Sequence, residues 1–143
     1  DDRPARGFIN ALVIHAISLP PTQFGGRFVE EFFCNQLDPD ADGYFETIKD
    51  TQVSAHFYIR RDGALKQFVA TPMRAWHAGV SRLKGLSCVN DFSIGIELEG
   101  HDDAPFSDAQ YACLNELAGC LMAGYPAITR QRIVGHSDIA PGR

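Results

Sequence analysis

Residues 92–99 read Phe-Ser-Ile-Gly-Ile-Glu-Leu-Glu. Phe92, Ile94, Ile96 and Leu98 recur at every second position, the period of a β-strand with one apolar face. Gly95, Glu97 and Glu99 share the other face. Such a strand needs a second layer against its apolar side. Residues 107–124 supply one. Ser107 with Gln110 three positions on is a capping box. Tyr111, Leu114, Leu117, Ala118 and Leu121 predict the buried stripe of a helix, and Gly124 followed by Pro126 closes it.

The remaining signals are shorter. Residues 11–15, Ala-Leu-Val-Ile-His, predict a strand. Beyond Pro20-Pro21, the spacing of Phe24, Phe28, Val29, Phe32 and Phe33 predicts a helix over 24–33. Residues 37–49, rich in Asp, Pro and Gly, read as a loop that Tyr44-Phe45 can pack down. Residues 54–60 and 64–69 read as strands joined by Arg61-Asp62-Gly63, a hairpin signal. Residues 72–90 are long and irregular, and 132–134 form a last short strand ahead of Gly135-His136. Helices and strands mixed along 143 residues predict one α/β domain over 1–143, with a central mixed β-sheet flanked by helices.

The net charge of −5, with its basic residues scattered, argues against nucleic acid as a partner. No apolar run approaches the ~20 residues that cross a bilayer, so no membrane role is expected. The four cysteines match no CxxC pattern and read as free thiols in a reducing compartment. The chain begins at Asp1 with no signal peptide in view.

His15 and His136 each directly follow a short apolar strand, where ligands gather in α/β sheets. Two imidazoles brought together there suit Zn2+, although each also reads as an ordinary hydrogen-bonded histidine. Glu97 is a carboxylate in an apolar strand. Burial would raise its pKa and make it a general base, and the alternative is a solvated glutamate on a half-exposed sheet. Glu99, at the strand end, reads as solvated. Trp76-His77 either lines a cleft or pins its loop to the core. His56 reads as structural and His101 as a solvated loop residue. No GxSxG elbow supports serine hydrolase chemistry.

Taken in order, Leu12-Val13-Ile14-His15, Ser18-Leu19-Pro20-Pro21, Ala75-Trp76-His77-Ala78-Gly79, Ile94-Gly95-Ile96-Glu97 and Gly135-His136-Ser137-Asp138 resemble a known family. It is that of the zinc N-acetylmuramoyl-L-alanine amidases of the amidase_2 and peptidoglycan-recognition type, in particular its cytoplasmic AmpD branch. The resemblance spans essentially the whole chain. It implies a zinc enzyme that hydrolyses the amide between the lactyl group of (1,6-anhydro-)N-acetylmuramic acid and L-alanine of a muropeptide. His15 and His136 match the family's histidine zinc ligands, and Glu97 matches the glutamate that activates water. The family's third ligand, an aspartate about ten positions past the second histidine, and a lysine that stabilises the oxyanion are expected beyond Arg143. Asp138 does not match that ligand position.

Three departures bear on specificity. Ala16 stands where the branch usually has Asn, Ala55 where phage amidases have a catalytic tyrosine, and Leu86-Ser87-Cys88-Val89 where close relatives tend to carry arginine. Trp76 and His77 are expected to line the substrate cleft, with Tyr44 and residues 81–90 at its rim. Arg82 or Lys84 would meet peptide carboxylates. A non-catalytic muropeptide-binding module on the same fold is the competing reading, and the intact His15, His136 and Glu97 favour the enzyme.

Overall fold

The structure is a computed structural model that describes residues 1–4 and 8–142. In chain order its elements are β1 (Ala11–Ile17), α1 (Phe28–Phe33), α2 (Phe45–Ile48), β2 (Phe57–Ile59), β3 (Leu65–Gln67), β4 (Arg82–Leu83), β5 (Leu86–Ser87), β6 (Ser93–Glu99), α3 (Asp108–Gly124), β7 (Ile133–Gly135) and α4 (His136–Ile139). Five strands form one sheet in the order β3-β2-β6-β1-β7. β6 pairs in parallel with β1 and β2, β1 pairs in parallel with β7, and β2 and β3 form the expected antiparallel hairpin. The sheet is mixed and the fold α/β, as the alternation of elements predicts.

β6 is the middle strand, and every one of its residues is buried. Ile94, Ile96 and Leu98 pack with Leu12, Phe57, Ile59 and Leu121 beneath α3. Burying one such aliphatic side chain contributes roughly 1.5–3 kcal/mol. Leu114, Leu117 and Ala118 cover this layer from α3, but Tyr111 is 50% exposed. Gln110 takes the inward position instead. Its amide donates to the carbonyls of Ile59 (3.2 Å) and Glu99 (2.9 Å), which end their strands there.

Phe92 also departs from its expected face. It follows a turn of 3-10 helix, Val89–Asp91, with ψ near 13°, which breaks the alternation before β6 begins. Its ring packs on the opposite side with Ala11, Val13, Ala78, Leu83 and Ile139. A third cluster beneath the other half of that face joins Phe32, Phe33, Phe45 and Tyr58. The helix expected from Phe24 starts only at Phe28, because Gly25 and Gly26 both sit at positive φ (85° and 72°). Phe24 stacks on His101 at 5.7 Å and lies under the Arg61 guanidinium at 4.8 Å, so His101 is half-buried against that ring rather than fully solvated. The stretch read as a loop over 37–49 holds α2, whose Phe45 is fully buried. Residues 72–90 hold a small hairpin, β4 with β5. The four cysteines are free thiols. Among the described residues no helix is long and apolar enough to cross a membrane.

The Ser107 cap joins α3 to the sheet. Its hydroxyl accepts from Gln110 N at 3.1 Å while Gln110 Oε1 accepts from Ser107 N at 3.0 Å. Ser107→Ala is expected to cost about 0.5–2 kcal/mol. In urea denaturation the midpoint should fall with an unchanged slope.

Candidate active site

Register puts the chemistry in one place. In the β1–β6 ladder His15 lies opposite Glu97, with Val13 opposite Gly95 and Ala11 opposite Ser93. Partners in register project from the same face. That face lies away from α3, so it carries the polar residues of β6. On the other flank of β1, Ile14 pairs with Gly135, and one step beyond the pair on each strand come His15 and His136. Their Nδ1 atoms lie 2.9 Å apart across 121 residues of sequence. Gly135 starts α4, and its N–H donates to Asp138 Oδ2 at 2.8 Å, so Asp138 serves the helix start.

His77 completes a row of imidazoles. Its Nδ1 is 2.9 Å from His15 Nε2, and its Nε2 is 3.3 Å from Ser93 Oγ. The Asn90 side-chain oxygen accepts from the backbone N–H groups of His77 (3.1 Å) and Ala78 (2.9 Å), which holds the loop onto the sheet. Gly95 makes room: a Cβ there would fall 2.3 Å from His77 Cγ. His56 is structural, as expected, with its Nδ1 accepting from Gly95 N at 3.0 Å.

Glu97 is only 8% exposed, and its buried Oε2 has no hydrogen-bond partner. Burial without a compensating bond pushes its pKa up to about 8. Burial and the neighbouring His136 push His15 down to about 3, so its imidazole is neutral, the form that ligates metals. Glu99 is not solvated. Its carboxylate accepts from the backbone N–H groups of Gly25 and Arg61 and pins both loops to the sheet end.

A cavity of about 560 Å³ opens over these groups, lined by His15, His77, Glu97, Asp102 and His136 among others. A second, of about 390 Å³, adjoins it at Ala16 and Asp102 and is lined by Tyr44. A third, of about 340 Å³, adjoins it at His77 and His136 and is lined by Trp76. Trp76 is 45% exposed, stacks under the Arg74 guanidinium at 4.3 Å and donates from Nε1 to Asp1 at 2.8 Å. Arg82 and Lys84 are exposed on the β4–β5 hairpin and contribute to none of the three cavity walls. Ser93, Gly95 and Asn90 escape a reading by residue type, because none of them carries chemistry of its own. The Asn90-to-Gly95 segment that opens the strand is the trace they leave in the sequence.

The donor set suits zinc. Tetrahedral Zn–N bonds of about 2.0–2.1 Å place two ligand nitrogens about 3.3 Å apart. The Nδ1 atoms of His15 and His136, at 2.9 Å, need only open slightly. The unpartnered Glu97 oxygen is a further fit, since a buried carboxylate beside such a site has a place for a cation or water. Among the described residues no group of three or more His, Cys, Asp or Glu side chains is placed to hold a metal ion.

The N-acetylmuramoyl-L-alanine amidase family model (Amidase_2) matches residues 5–143. The chain is 54% identical over 143 residues to the 1,6-anhydro-N-acetylmuramyl-L-alanine amidase AmpD of Haemophilus influenzae, covering all of this chain and 78% of that one. It is 48% identical to AmpD of Escherichia coli K12, again covering all of this chain and 78% of the relative. A crystal structure of a selenomethionine AmpD derivative superposes with a TM-score of 0.97 at 48% identity, covering 100% of this chain and 79% of that one. The E. coli amidase AmiD, solved in complex with the substrate anhydro-N-acetylmuramic acid-L-Ala-D-γ-Glu-L-Lys, superposes at 0.66 with 31% identity, covering 99% of this chain and 54% of AmiD.

The raised pKa of Glu97 gives a stability test in the metal-free protein. The folded state holds the proton up to about pH 8, whereas the unfolded chain releases it near 4.5. Between those values the folded state binds more protons, so stability falls as pH rises, by up to about 1.4 kcal/mol per unit. Glu97→Gln should flatten that slope in denaturation series run from pH 5 to 8. An equal slope in both proteins would mean that Glu97 is ionised when folded.

Proposed function

Because the chain belongs to the N-acetylmuramoyl-L-alanine amidase family, we propose that it cleaves the lactyl–L-alanine amide of 1,6-anhydro-N-acetylmuramyl peptides during peptidoglycan recycling. The observation that carries this reading is the convergence of His15, His136 and Glu97 on one cavity. A module that only bound muropeptides would gain nothing from a buried carboxylate with an unpartnered oxygen. Residues 1–143 act as one amidase domain. The four free thiols agree with work in the cytoplasm.

His15 and His136 are the residues that would hold zinc, through Nδ1 in each case. When bound, the ion acidifies water toward about pH 7, polarises the amide carbonyl and, as a neighbouring cation, draws Glu97 back toward its ionised form. Glu97 then takes the proton from the attacking water at its unpartnered Oε2. As the C–N bond breaks, Glu97 hands that proton to the departing amine. The products are a lactyl carboxylate and a peptide with a free L-alanine amino group. The Trp76 indole, at the wall of the adjoining cavity, offers an apolar surface to sugar or peptide, and Tyr44 does the same on the other side.

Glu97→Ala is expected to lower turnover of anhydromuropeptide by roughly 10²–10⁴-fold while zinc content, measured by atomic emission, stays at the wild-type level. Retained turnover would remove Glu97 from the mechanism. Trp76→Ala should weaken muropeptide binding in calorimetric titration, and unchanged affinity would assign the indole to packing against Arg74 and Asp1.

A further inference from the structure

We propose that His77 and Ser93 form a positioning relay that sets the tautomer of His15 and aims its Nδ1 lone pair at the metal. The inference rests on the reading of His15 as a zinc ligand. It goes beyond that reading by giving His77 a task other than contacting substrate.

The relay follows from proton counting. Ser93 is fully buried and its hydroxyl has one proton to donate. Its Oγ lies 2.6 Å from the Val89 carbonyl oxygen, which can only accept, and 3.3 Å from His77 Nε2. The proton therefore goes to Val89, and the Ser93 oxygen is left as an acceptor. His77 Nε2 then carries the N–H that points to it. A neutral imidazole has a single N–H, so His77 Nδ1 is an acceptor. It lies 2.9 Å from His15 Nε2, which must be the donor. His15 Nδ1 is left as the lone pair, and it faces His136 Nδ1 at 2.9 Å.

The surroundings hold each member in place. Asn90 fixes the His77 backbone through its side-chain oxygen. Gly95 leaves the space that the His77 ring fills, since a Cβ would come within 2.6 Å of Nδ1. Ser93 and Gly95 share the β6 face that carries Glu97, so one strand supplies the relay's anchor, its room and the general base. Without an acceptor at Nε2, the His15 ring loses the partner that fixes both its orientation and its tautomer, and its proton is no longer held away from Nδ1. Outer partners of this kind typically contribute 10–100-fold to metal affinity.

The test uses the full-length protein. Nitrogen-15 NMR of the metal-free form should show His15 protonated at Nε2 and bare at Nδ1. His77→Leu should transfer that proton to Nδ1 and weaken zinc binding, measured by chelator competition, about 10–100-fold. His77→Asn keeps an acceptor where Nδ1 stood and should recover most of the affinity. Ser93→Ala, a smaller change, frees His77 to protonate at either nitrogen and should fall between. A wild-type His15 protonated at Nδ1, or a His77→Leu protein with unchanged tautomer and zinc affinity within twofold, would overturn the relay. A wild-type protein that binds no zinc would overturn the metal reading instead, while the tautomers would still decide the relay.

Discussion

The parallel pairing of β1 with β6 is the constraint on which the site depends. Seven residue pairs align from Ala11 opposite Ser93 to Ile17 opposite Glu99, and they put His15 beside Glu97. A slip of one residue would turn one partner toward α3 and separate His15 from Glu97. The slip is opposed by the core itself. Leu12, Ile94, Ile96 and Leu98 share one apolar layer, and shifting the register would drive Glu97 or His15 into it. The packing beneath α3 therefore holds His15 and Glu97 side by side on the opposite face without touching them.

That opposite face carries groups that a sheet would ordinarily show to water. Each is handled differently. Glu99 is satisfied by two backbone N–H groups, His56 by Gly95 and Met73, and His15 by its two imidazole neighbours. Among the described residues, Glu97 Oε2 alone of the buried carboxylate oxygens is left without a partner. An unsatisfied buried oxygen costs roughly 1–3 kcal/mol, and it persists where the fold over-determines it. The rest of the face is arranged to stabilise its polar groups, which sets Glu97 apart.

Loops finish the site from the N-terminal side of the sheet as well. The Arg3 guanidinium donates to the carbonyls of Asn90 (2.9 Å), Ser93 (2.8 Å) and Thr71 (3.2 Å). It ties the chain's first residues to the turn that launches β6 and to the segment carrying Trp76 and His77. The same turn presents Asn90 to the His77 backbone. Entry to β6, placement of the imidazole row and anchoring of the N-terminal residues are thus one hydrogen-bonded unit.

Much of this was legible in the residues themselves. The period of two in β6, the capping box of α3, the hairpin at Asp62-Gly63 and the histidines closing two strands are local patterns, set by backbone geometry within a few residues. They define an α/β domain and nominate His15, His136 and Glu97. What they do not contain is distance. Phe92 leaves its expected face because a 3-10 turn precedes the strand, and Gln110 displaces Tyr111 because two strand ends present carbonyls there. Glu99 becomes interior because the loop with Gly25 folds over it, and Phe24 of the same loop stacks on His101. The row from Ser93 through His77 to His15 exists only once the fold brings together two histidines 62 positions apart. Local sequence determined which groups could act. Long-range packing decided which were buried, which were partnered and which carboxylate oxygen was left without a partner, because burial and hydrogen bonding belong to neighbours in space rather than in sequence.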